Sequence, residues 1–155
     1  MRVRRQVFHC DDVDDHGRPR VAVGIEPWRS NNVYNTNGAG QKRSGSAAPG
    51  HSLTFGISIQ NDGTATDRFT VKATGTTVSG YRVKYFQGTT DITAAVVAGT
   101  YETPSLAPGA KYLIIAIVKV KSAAAVGSRV TRRVTLTSVG DSAKQDTVKF
   151  IVKRA

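Results

Sequence analysis

A chain of 155 residues with 22 Lys and Arg against 11 Asp and Glu carries a formal net charge of +11 and a single cysteine, Cys10. That length suits one domain, which buries roughly 68–70% of its unfolded surface without staples, and one cysteine excludes an intramolecular disulfide. A lone Met and a hydrophobic content of 39%, with Gly, Ser, Thr and Val plentiful, argue against a helical bundle and for short strands joined by turns.

In chain order, residues 1–16 stand apart as an N-terminal extension. Met1 to Arg5 is basic, Val3 to Phe8 has strand character, and Asp11, Asp12, Asp14 and Asp15 form an acidic cluster. Gly17-Arg18-Pro19 punctuates the chain and opens a domain over 17–155, whose first alternating strand carries Val21, Val23 and Ile25. Asn31 to Gly50 reads as a long loop with at most a short strand, turned at Asn37-Gly38 and Pro49-Gly50. Leu53, Phe55, Ile57 and Ile59 then alternate with polar or small residues until Asn61-Asp62-Gly63 ends the strand. Phe69, Val71 and Ala73 form the next strand, and Tyr81, Val83 and Tyr85 another, with Arg82 and Lys84 outward. Asp91 to Ala98 has room for a turn of helix, Tyr101 for a short strand, and Leu106 to Gly109 for a turn. Lys111–Lys121, Val130–Thr137 and Thr147–Lys153 complete the set. Seven or more such segments with no visible repeat predict one all-β antiparallel sandwich. Its expected core holds Leu53, Phe55, Ile57, Phe69, Val71, Val134, Leu136, Val148 and Phe150.

One strand breaks the alternation. Tyr112, Ile114, Ala116, Val118 and Val120 occupy one face, but Leu113, Ile115 and Ile117 make the other face apolar too. A sandwich strand ordinarily buries one face, and each of these three side chains is worth roughly 1.5–3 kcal/mol when covered. A loop, the extension or a second subunit could cover them. Leu113, Ile115 and Ile117 are therefore candidate self-association residues. Val3 and Val7, on one face of the extension, and Phe8 on the other, join them, because an extension can add a strand to a neighbour's sheet edge.

The segment Ile57-Ser58-Ile59-Gln60-Asn61-Asp62-Gly63-Thr64-Ala65-Thr66-Asp67-Arg68-Phe69-Thr70-Val71 resembles the strand–turn–strand of bacterial cell-surface immunoglobulin-like repeats, including adhesion-related domains. Leu106-Ala107-Pro108-Gly109 before a long strand is similar to the same family. Asn32-Val33-Tyr34-Asn35-Thr36-Asn37-Gly38-Ala39-Gly40-Gln41 and Asp91-Ile92-Thr93 resemble one subgroup, found in large secreted proteins. The resemblance covers about Arg18 to Lys153. It implies an immunoglobulin-like sandwich, a non-catalytic role and an extracellular or cell-surface location, and it transfers no site residues. Two features depart from the pattern: the domain stands alone rather than in an array, and it is unusually basic.

Little else points to chemistry. The histidines are His9, His16 and His51, and no Gly-x-Ser-x-Gly elbow accompanies them, so nucleophilic catalysis has no support. His9, Cys10, Asp12, Asp14 and His16 match no zinc spacing, and Asp12 to Gly17 only half-resembles a calcium loop, so neither metal nor organic cofactor is expected. Tyr81, Arg82, Lys84, Tyr85 and Phe86 mix basic and aromatic residues, but alternation turns the tyrosines away from the cations, which speaks against specific nucleic-acid binding. Trp28 is a candidate sugar-stacking residue. Residues 1–50 carry 8 basic and 5 acidic groups and residues 51–155 carry 14 and 6, so the positive charge is spread, which favours weak attraction to polyanions or glycans. No apolar run in residues 1–20 is long enough for a secretory signal, and none later spans a membrane. The expectation is a non-enzymatic structural or adhesive module that contacts copies of itself, in a filament or surface layer. The alternatives are a polysaccharide-binding sandwich module and a capsid decoration protein on a virion surface.

Overall fold

The computed structural model describes residues 35–155 apart from Thr76; the expected strand at Val21 to Ile25 lies outside them. Among the described residues, ten strands and one short helix follow in order: β1 (Lys42–Ala47), β2 (Ser52–Gln60), β3 (Phe69–Ala73), β4 (Thr77–Val78), β5 (Tyr81–Gln87), β6 (Thr90–Asp91), α1 (Thr93–Ala98), β7 (Tyr101–Glu102), β8 (Lys111–Val120), β9 (Arg129–Ser138) and β10 (Gln145–Arg154). They form two sheets, ordered β1-β10-β9-β3-β7 and β2-β8-β5-β4, with β6 also on β5. Every pairing is antiparallel except β1 with β10, which is parallel. The domain is an all-β immunoglobulin-like sandwich.

Strand β1, six residues long, is the short strand that the expectation for Asn31 to Gly50 allowed. Its residues, Lys42-Arg43-Ser44-Gly45-Ser46-Ala47, have no apolar alternation, and the parallel ladder to β10 holds them extended. Ahead of it, the side chain of Asn35 organises the turn at Asn37-Gly38, accepting hydrogen bonds from the backbone N–H groups of Asn37 at 3.2 Å and Ala39 at 3.1 Å. After it, the turn at Ala48-Pro49-Gly50 closes with a bond from His51 N to Ala48 O at 3.1 Å, and the chain crosses to the other sheet as β2.

The core lies between the sheets, where period-two strands place alternate side chains. Phe55, Ile57, Phe69, Val71, Val134, Leu136, Val148 and Phe150 are buried as expected, and Leu53 is half-buried against their edge. Phe55 of β2 and Phe150 of β10 stack across the gap with centroids 4.8 Å apart. The inward tyrosines of β5 differ in a testable way. Tyr81 donates through its hydroxyl to Ser128 O at 2.7 Å, whereas the hydroxyl of Tyr85 is buried with no hydrogen-bond partner and burial raises its pKa well above the usual phenol range. Loss of a bonded buried hydroxyl destabilises, while loss of an unbonded one relieves a desolvation cost. Tyr81→Phe should lower stability by about 1 kcal/mol and Tyr85→Phe should leave it equal or raise it. Urea denaturation of both variants checks the opposite signs.

Two polar side chains also point inward. Arg132 of β9 sits among Val130, Val134 and Leu136 with its Nε unpartnered, though Nη1 donates to Thr131 O at 3.0 Å. Asp146 of β10 lies on the face of Val148 and Phe150, and its Oδ1 accepts from Gln41 Nε2 at 2.5 Å, Thr147 N at 2.9 Å and Asn35 N at 3.3 Å. These bonds fasten the segment before β1 to the sandwich.

Candidate functional site

The apolar second face of β8 is the outer surface of the β2-β8-β5 sheet. The burial pattern of β8 alternates as the antiparallel register requires, with Ile114, Ala116, Val118 and Val120 inside and Leu113, Ile115 and Ile117 outside. Leu113 is 51% exposed, and Ile115 and Ile117 are half-buried. These three predicted residues thus lie together along one strand.

Their flanks differ. On the β2 side, Leu113 is opposite Ser58, Ile115 opposite Gly56 and Ile117 opposite Thr54. On the β5 side, Ile115 is opposite Phe86, Ile117 opposite Lys84, and Lys119 opposite Arg82. The surface is therefore an apolar stripe of Leu113, Ile115, Ile117 and Phe86, with a small and hydroxylic margin on one flank and a cationic one on the other. Phe86 extends the stripe beyond the candidates named from the sequence. Its signal was its parity with Arg82 and Lys84 on β5, which sets it on the outward face.

The cationic margin is partly tied down. Lys84 Nζ pairs with Asp91 Oδ2 at 2.9 Å and lies 5.9 Å from the Phe86 ring centroid. Hydrogen bonds from Thr93 and from Lys84 hold the Asp91 carboxyl down at about 2. Thr93 Oγ1 accepts from Tyr85 N at 2.9 Å, so the start of α1 is anchored to β5 beside this margin.

Val3, Val7, Phe8 and Trp28, together with Cys10 and the acidic cluster Asp11 to Asp15, lie outside the described residues. Among the described residues, no group of three or more His, Cys, Asp or Glu gathers as a metal-ligand set, and no helix is long and apolar enough to cross a membrane. A cleft of about 250 Å³ at one end of the sandwich is lined by Asn61, Thr64, Thr66, Asp67, Ser138 and Asp141. Its central carboxylate is spent on internal bonds. Asp67 Oδ1 accepts from Arg68 N at 2.8 Å and Gly140 N at 3.1 Å, and Oδ2 accepts from the Ser138 hydroxyl. That side chain joins two loops.

No family model matches the chain, and no curated relative does. Among solved structures, it is similar over 74% of its length to a secreted serine protease, VesC, from Vibrio cholerae, at 14% identity and a TM-score of 0.45. The Vibrio cholerae protease VesB is similar at 14% identity over 73% of the chain, with a TM-score of 0.44. The chain spans 22% and 30% of the lengths of those two proteases. The PapD-like domain 7 of human CEP192 is similar at 8% identity and a TM-score of 0.41, with 74% of this chain and 79% of that one covered.

Proposed function

We propose that the domain is a non-catalytic immunoglobulin-like module that works by protein–protein contact, and that its partner is a second copy of itself. Assembly into an extracellular filament or surface layer is the form this takes, in keeping with the resemblance to bacterial cell-surface repeats. The observation that carries the reading is the apolar stripe of Leu113, Ile115, Ile117 and Phe86 on the outward side of a sheet whose other side already makes the core. An outward face gains nothing for the sandwich by being apolar; it gains when something covers it. A two-fold axis running along β8 would stack two such faces with the β5 flank of one copy over the β2 flank of the other. The cationic margin of each then meets Ser52 and Thr54 of its mate rather than another row of cations.

The test is a pair of substitutions on the stripe, Ile115→Lys and Leu113→Glu, followed by gel filtration with light scattering. Both variants should remain folded by circular dichroism, because neither side chain belongs to the inner core, and both should elute as monomers where the unaltered chain associates. Association that survives both changes would place the contact elsewhere and defeat this reading.

A further inference from the structure

The other sheet presents a surface of different chemistry. The outward positions of β1, β10, β9 and β3 follow from their alternation and register. Lys42 of β1 is directly beside Lys149 of β10, which is directly opposite Arg133 of β9. Four residues further along β10, Lys153 is opposite Arg129. On the other side of the first row, Lys72 of β3 is opposite Thr135. Lys42, Lys72, Arg129, Arg133 and Lys153 are exposed and Lys149 is half-buried.

Neighbouring strands lie about 4.8 Å apart, so the first row sets three cations abreast within roughly 10 Å, and the second row lies about 13 Å further along the strands. Like charges directly opposite one another destabilise a sheet. Among the described residues, Arg68 pairs with Glu102 and Lys84 with Asp91, and none of these cations takes part in either pair. Glu102, the acidic residue at an outward position of this sheet, is the one engaged by Arg68. Between the two rows stand Ser44 of β1, the half-buried Ile151 of β10 and Thr131 of β9, while Ser46, Thr135 and Thr137 add hydroxyls beside and beyond the rows. No outward position on these strands is aromatic.

We infer that this face binds an acidic polysaccharide, bearing carboxylates or sulfates, laid across the sheet. The cation rows take the anionic groups and the Ser and Thr hydroxyls take the sugar hydroxyls. A neutral glycan would call for an aromatic stacking platform, and unpaired nucleic acid would call for one too. A duplex is read by an element that enters a groove, and a broad sheet face offers none. The assembly face is on the opposite sheet, so this inference goes beyond the self-association reading.

The experiment measures binding of the full chain to three immobilised polyanions: heparin, polygalacturonate and a duplex DNA of twenty base pairs. The triple variant Arg129→Ser, Arg133→Ser, Lys149→Ser is compared with a control, Lys111→Ser, Lys121→Ser, Lys144→Ser, which removes the same charge from exposed positions outside both the cation rows and the proposed contact. The first triple should lose about tenfold or more in polysaccharide affinity while the control changes by less than about threefold. Heparin alone retained would assign sulfate, polygalacturonate alone carboxylate, and both a face that accepts either. Equal losses in the two triples would reduce the effect to net charge and overturn the proposal, as would tighter binding to the duplex than to either polysaccharide.

Discussion

Gly80→Ala should be the most damaging small substitution in the domain, lowering stability by about 3 kcal/mol or more. Gly80 has φ of 80°, where an L side chain is strained. A Cβ there would lie 2.3 Å from Ala124 Cα and 2.8 Å from Ala124 N. Those are backbone atoms of the β8–β9 connection, which is pinned in place because Lys121 N donates to Gly80 O at 2.8 Å and Ala124 is buried. Neither side can yield without breaking the turn between β4 and β5. Gly50 is the control: its φ is 86°, yet a Cβ would meet nothing within 4 Å. Gly50→Ala should therefore show the backbone strain alone, about 1 kcal/mol. Thermal unfolding of both variants separates the steric part from the conformational part, and equal losses would show that the close approach to Ala124 is not rigid.

The second large effect is on pH dependence. Burial raises the Asp146 carboxyl from 3.8 to about 6, against the opposing hydrogen bonds from Gln41, Asn35 and Thr147. Its Oδ2 is buried without a partner. A carboxyl raised in the folded state favours the neutral form, so its contribution is fully present below the unfolded pKa of about 3.8 and is lost as pH rises through about 6. The expected loss is up to about 2 kcal/mol between pH 4 and pH 7.5, from the size of the shift discounted for partial solvent access. Other carboxylates add their own slopes, so the readout is the difference from Asp146→Asn, which keeps an oxygen acceptor but does not titrate. Urea midpoints for the two proteins should diverge as pH rises, with the unaltered chain losing ground. Parallel curves would mean that Asp146 titrates as an exposed carboxyl.

Much of this architecture is legible in local alternation. β2, β3, β5 and β8 carry apolar residues at every second position, and β9 and β10 do so except at Arg132, Ser138 and Asp146, so the sequence alone shows that they exist and which face turns inward. β1 is not legible in this way, because Lys42 to Ala47 has no such pattern and becomes a strand through its ladder to β10. Arg132 and Asp146 follow the parity of Val134 and Val148, so the alternation points them inward. Hydrophobic character, which guides the reading of a strand, passes over a charged residue at a core position. The apolar stripe on β8 is legible because it lies within one strand. Phe86 and the cation rows of the other sheet are not grouped with their neighbours by sequence, because Ile115 with Phe86, and Lys42 with Lys149 and Arg133, are far apart along the chain and meet through register.

The proposed contact between copies lies on the outward face of the β2-β8-β5 sheet. Sedimentation velocity of the full 155-residue chain over a hundredfold range of concentration, beside Ile115→Lys, tests it most directly. The weight-average sedimentation coefficient of the unaltered chain should climb with concentration while that of the variant stays at the monomer value. An unaltered chain that remains monomeric across the whole range would contradict it.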